Sequence, residues 1–136
     1  MPTIHHEIQI ALPPETVWDA VRDVANLHIR LVPGFVVATE MLPQPATPTR
    51  RVTFASGAVL DEAIVSIDDQ RQRLVWSITS VEHHNGAMQV FAADGGSRVT
   101  WTADVLPAEL TETFSPLMAA GLATMKAHLE SGHLVR

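Results

Sequence analysis

Three residues in this sequence have the type and surroundings to move protons. Glu62 shares one face of a candidate strand with Leu60 and Ile64, while Asp61, Ala63 and Val65 share the other. If the Leu60 face turns inward, a carboxylate enters an apolar cavity, where desolvation raises its pKa and suits it to acid or base work. The alternatives are a place on the convex face, or an ion pair with Arg51 or Arg73 across the sheet. His83 and His84, followed by Asn85, supply imidazoles able to give or take a proton near neutral pH. An ordinary polar hairpin turn accounts for the same triplet.

Other chemistries lack their residues. The seven histidines include the adjacent pairs His5-His6 and His83-His84, which point to opposite faces when extended and lack metal-ligand spacing. Neither a metal nor a cofactor is expected. There is no cysteine, so disulfides, thiolate zinc sites and cysteine nucleophiles are excluded. Asp94-Gly95-Gly96-Ser97 reads as a hairpin turn, without the helix and lysine of a phosphate-binding loop. A net charge of −6, with one lysine among nine scattered basic residues, argues against nucleic acid. No apolar run approaches the roughly 20 residues that cross a bilayer. The first residues lack the basic start and apolar stretch of a signal peptide, so the expected location is the cytoplasm.

The elements that must position these residues follow from periodicity. Ile4, His6, Ile8 and Ile10 alternate with polar neighbours as in a half-buried strand, which Pro13-Pro14 stops while opening a helix carrying Val17, Trp18 and Val21. A second short helical segment, Leu27 to Leu31, ends at Val32-Pro33-Gly34. Six strands are then expected, at 35–41, 51–55, 59–67, 73–79, 87–93 and 98–106. Their separators include the prolines of 43–48, Ser56-Gly57, Asp68-Asp69, Asn85-Gly86 and Asp94-Gly95-Gly96. Links this short favour antiparallel hairpins. The last segment takes a helical period through Leu117, Met118, Gly121, Leu122, Met125 and Leu129, with Ser115-Pro116 as its start and Gly132 as its stop. One α+β domain over 1–136 is expected.

Several large apolar groups fall on the inward rows. Phe35, Phe54, Trp76 and Trp101, with Met88, Met118 and Met125, would line a pocket or fill a core. Gly121 leaves space between final helix and sheet that a ligand or a larger neighbour must fill.

This order of elements resembles the START-like superfamily, which includes the Bet v 1-like proteins. It carries Val17-Trp18-Asp19, Val32-Pro33-Gly34, Ser56-Gly57, Asp68-Asp69 before Arg73 and a methionine-bearing last helix, and most resembles the bacterial polyketide cyclase/dehydrase-like branch. The resemblance spans essentially the whole chain. It implies a helix-grip fold: a seven-stranded curved antiparallel sheet, two short helices and a long C-terminal helix enclosing a ligand cavity. Fold membership alone does not settle activity. Two segments are similar to loops that guard the cavity mouth in the superfamily's hormone receptors, 56–60, ending at Leu60, and 81–85, which includes His83 and His84. No lysine lies near the start of the third strand to meet a carboxylate, so hormone binding is not implied.

The resemblance implies a small hydrophobic or aromatic ligand, polyketide- or lipid-like, with Leu60, His83 and Leu122 joining the lining. It also allows a cyclase, aromatase or dehydratase in which Glu62 and His84 move protons. A third reading is a module that self-associates as a homodimer through a sheet edge or the long helix.

Overall fold

The computed structural model describes residues 2–132. Seven strands form one antiparallel sheet: β1 (Thr3–Ile10), β2 (Val36–Met41), β3 (Thr49–Phe54), β4 (Val59–Asp68), β5 (Arg73–Ile78), β6 (His83–Ala93) and β7 (Gly96–Leu106). Their spatial order is β1-β7-β6-β5-β4-β3-β2, so every neighbour after β2 is a hairpin partner and β1 closes onto the last strand. Between β1 and β2 lie α1 (Pro14–Val21) and two helical turns, Val24–Asn26 and Leu27–Leu31. The second is a π-type turn, and its Leu27 carbonyl accepts the Val32 N–H. The long helix α2 (Leu110–Glu130) completes the chain. This is the helix-grip architecture expected from the resemblance.

Proline opens α1 as expected: Pro13 precedes it in an extended conformation and Pro14 takes its first position, where no amide hydrogen is needed. The helix buries Val17, Trp18, Ala20 and Val21. Its far side is fastened to the β4–β5 turn, because Asp69 accepts from both Trp18 Nε1 (2.9 Å) and Arg22 Nε (2.8 Å).

Helix α2 begins five residues before the expected start at Ser115. Pro116 lies inside the helix, where the missing amide costs about 3 kcal/mol. Leu110, Phe114 and Met118, four residues apart, pack with Ile4, Ala103 and Val105, and this burial offsets the proline. The first turn is tightened by bonds from Leu110, Thr111 and Glu112 to carbonyls three residues back. Along its length α2 is bound to β1: His6 Nε2 meets Ser115 Oγ at 2.9 Å, and Lys126 Nζ donates to the Gln9 carbonyl at 2.6 Å. Its buried row is Met118, Gly121, Leu122, Met125 and Leu129.

Asn85-Gly86 is not a turn. Both residues lie within β6, which starts at His83 and pairs continuously with β7 from His83↔Leu106 to Ala93↔Gly96. Gly86 sits opposite Trp76. A β carbon there would lie 3.0 Å from His84 Cε1 and 3.2 Å from Trp76 Cε2, so the glycine admits two neighbouring rings. A residue that reads as a turn signal is here a packing device.

Candidate functional site

Beneath α2 the concave face of the sheet borders a partly open apolar cavity of about 90 Å³. β5 floors it with Leu74, Trp76 and Ile78; β6 and β7 add His84, Met88 and Trp101. Helix α2 roofs it with Phe114, Leu117, Met118, Gly121 and Met125. Phe35 and Phe54, packed edge to face with centroids 5.7 Å apart, stand with Leu60 at the less buried end.

The polar part of the wall is built by strand register. Arg50 on β3 lies opposite Glu62 on β4, which in turn lies opposite Ile78 on β5. Arg50 Nε donates to Glu62 Oε1 at 2.8 Å, and both side chains are buried, 4% and 8% exposed. Arg50 Nη1 also donates to the Val24 carbonyl at 3.2 Å, tying the pair to the first helical turn. Its guanidinium carbon stands 5.8 Å over the Trp76 ring. The ion-pair alternative weighed for Glu62 is therefore realised with a different partner, for Arg51 pairs outward with Asp61 instead (2.8 Å). Glu62 faces inward with Leu60 and Ile64 by strand alternation, ahead of the bulge that shifts β4 register between Ile64 and Ser66.

His84 is 5% exposed. Its Nδ1 accepts the Ile78 backbone N–H at 3.1 Å, which places the proton of the neutral ring on Nε2. Burial first, and the neighbouring His83 second, push the imidazole down to about 4. At neutral pH His84 is thus an uncharged hydrogen-bond donor. Its ring is bracketed by Trp76 (6.5 Å) and, edge to face, by Phe114 (5.9 Å). Glu62 and His84 flank Ile78 from β4 and β6, so their backbones are two strand spacings, roughly 10 Å, apart. They border the cavity from two sides and do not form a hydrogen-bonded pair. Glu62 Oε2, Arg50 Nη2 and His84 Nε2 make no hydrogen bond among the described residues, yet none of them is sealed from the cavity or solvent. The indole Nε1 of Trp101, by contrast, is sealed and unpartnered.

Of the residues singled out in the sequence, Glu62, His84, Phe35, Phe54, Leu60, Trp76, Met88, Trp101, Met118, Gly121 and Met125 lie on this lining. Two do not. His83 alternates to the other face of β6 from His84, and Leu122 turns past the cavity into the core, 1% exposed. At Gly121 the larger neighbour fills the space: a β carbon there would lie 3.1 Å from Trp101 Cζ3 and 3.4 Å from Phe35 Cε2. Sequence reasoning missed Arg50 and Phe114 and took Gly86 for part of a turn. For Arg50 the signal was present, since Arg50, Val52 and Phe54 form one period-two row, but starting the strand at Arg51 hid it. A second cleft, of about 240 Å³, lies on the sheet's outer face between Arg73, Gln89, Thr100 and Asp104. Its polar walls, unlike those of the inner cavity, offer a ligand little apolar burial.

The family described as "Polyketide cyclase / dehydrase and lipid transport" matches residues 1–130. The chain belongs to that family. No curated protein matches it. Among solved structures, the protein XoxI from Bacillus cereus superposes with a TM-score of 0.82 at 18% identity, over 96% of this chain and 97% of the other. A solution structure from Thermobifida fusca reaches 0.75 at 26% identity, over 100% and 99%. Ara h 8.0201, a Bet v 1-like protein, reaches 0.73 at 18% identity, over 96% and 99%. Membership of this polyketide cyclase and lipid transport family supports hydrophobic-ligand binding or cyclase-type chemistry as the general class of function. Among the described residues no helix is long and apolar enough to cross a membrane.

Proposed function

We propose that this member of the family binds a small, largely apolar molecule in the cavity between the sheet and α2. One observation carries the reading: a partly open apolar cavity is bordered by three polar atoms with unfilled hydrogen-bonding capacity, Arg50 Nη2, Glu62 Oε2 and His84 Nε2. In a filled core such groups would lose water without gaining partners, at about 1–3 kcal/mol each, whereas here they stay open to the cavity where a ligand could meet them. Size limits the occupant. An apolar cavity of about 150 Å³ takes benzene, so 90 Å³ suits a single ring only if the part-exposed end near Phe35, Phe54 and Leu117 yields.

The test is a thermal-shift and native mass spectrometry screen of single- and two-ring aromatics and short lipids. A ligand at 100 times its Kd should stabilise the fold by about 2.7 kcal/mol. No stabilisation and no bound mass across such a set would refute the reading.

A second reading is favoured by the placement of Glu62 and His84 on opposite sides of the same space. Glu62 Oε2 would take a proton from an acidic methylene of a poly-β-carbonyl chain while His84 Nε2–H bonds the carbonyl oxygen. Once a substrate is identified, Glu62→Gln and His84→Asn should each cut turnover at least a hundredfold. Unchanged turnover in both variants would remove these roles.

A further inference from the structure

The charge balance of the cavity wall restricts what can enter it. Among the described residues Arg50 is the one cation on the lining and Glu62 the one anion, and they neutralise each other at 2.8 Å. His84 adds no charge, because its Nδ1 is occupied as an acceptor by the Ile78 amide. The remaining capacity is uneven: two donors, Arg50 Nη2 and His84 Nε2, against one acceptor, Glu62 Oε2. A carboxylate entering this space loses its hydration and finds the Arg50 guanidinium already held by Glu62. It must either displace Glu62, leaving that carboxylate buried and unpaired, or sit beside it as a like charge. An uncharged carbonyl or hydroxyl oxygen meets neither obstacle and accepts from the free donors.

We infer that the Arg50–Glu62 pair is a charge filter: it makes the cavity select uncharged ligands bearing a carbonyl or hydroxyl oxygen over carboxylates of the same shape. The inference rests on the ligand-binding reading above and adds to it the chemical class of the ligand and the residue that sets the class. Glu62 is the specificity-determining member, since removing its charge leaves Arg50 without a counter-ion. A carboxylate ligand then supplies one.

Three probes of one size separate the possibilities: ethylbenzene, acetophenone and benzoate, titrated by calorimetry and ligand-observed NMR at pH 7.5 into wild type and Glu62→Gln. Glutamine keeps an oxygen for Arg50 Nε while removing the charge. In wild type, acetophenone should bind at least tenfold tighter than benzoate and measurably tighter than ethylbenzene. In the variant, benzoate should gain at least tenfold and the preference should invert. Equal binding of ethylbenzene and acetophenone, or benzoate as the tightest wild-type ligand, would overturn the inference while leaving an apolar binding cavity in place. Failure of all three probes up to millimolar concentration would overturn both. A folded variant that still rejects benzoate would show that Glu62 is not the filter. If circular dichroism showed the variant unfolded, the wild-type ranking alone would decide.

Discussion

The burial of His84 makes the fold sensitive to acid in a defined window. In the unfolded chain the imidazole titrates near 6.5, whereas in the folded protein it is depressed to about 4, chiefly by burial. Between these values the unfolded state binds more protons, so stability rises with pH through the window and is complete above 6.5. Lowering the pH from 7.5 should therefore remove about 2 kcal/mol by pH 5 and about 3 kcal/mol by pH 4 through this one residue. Geometry gives the same sign. A second ring proton would sit on Nδ1, facing the Ile78 amide hydrogen 3.1 Å from nitrogen to nitrogen, and the bond would become a clash of two donors. The assay is urea unfolding of wild type and His84→Asn from pH 7.5 to 4, comparing differences between the two. Asparagine offers an oxygen near the Nδ1 position and does not titrate. The ion-paired carboxylates Asp61, Asp69 and Glu130, held below their usual range by their Arg or Lys partners, contribute equally to both proteins and cancel. Wild type should lose up to about 3 kcal/mol more than the variant over this range. Parallel curves would refute the account of His84 as a buried neutral imidazole.

Two further substitutions probe the packing and the pair. Gly86→Ala should leave the protein folded but push the His84 and Trp76 rings from their present positions, because the new β carbon meets both at 3.0–3.2 Å. Ligand affinity in the cavity should fall at least fivefold while the urea midpoint changes little, and unchanged affinity would count against these rings as walls of the binding space. Arg50→Met strands a buried carboxylate and should cost about 3–5 kcal/mol. The double change Arg50→Met with Glu62→Leu should recover most of that loss, as a double-mutant cycle by denaturation would record, whereas additive losses would mean that the two side chains are not coupled.

The parts of the fold legible in the sequence were those where one side-chain pattern has one physical solution. Alternation in Leu74/Trp76/Ile78 and in Val99/Trp101/Ala103/Val105 fixes which faces turn inward, and the proline pair at 13–14 fixes where β1 must give way to α1. The start of α2 was hidden because proline is a strong local signal, while the contacts that overrule it, from Leu110 and Phe114 to Ile4, join residues about a hundred positions apart. Asn85-Gly86 misled for the same reason: glycine reads as freedom to turn, but here it makes room for two rings whose presence only the folded sheet reveals. The site divides along the same line. Glu62 was visible as a carboxylate in an apolar row, but its partner depends on register between β3 and β4, and a one-residue shift exchanges Arg50 for Arg51. That shift separates a buried pair lining a cavity from a solvent-exposed one, so the chemistry of this wall is set by how two strands align rather than by either residue alone.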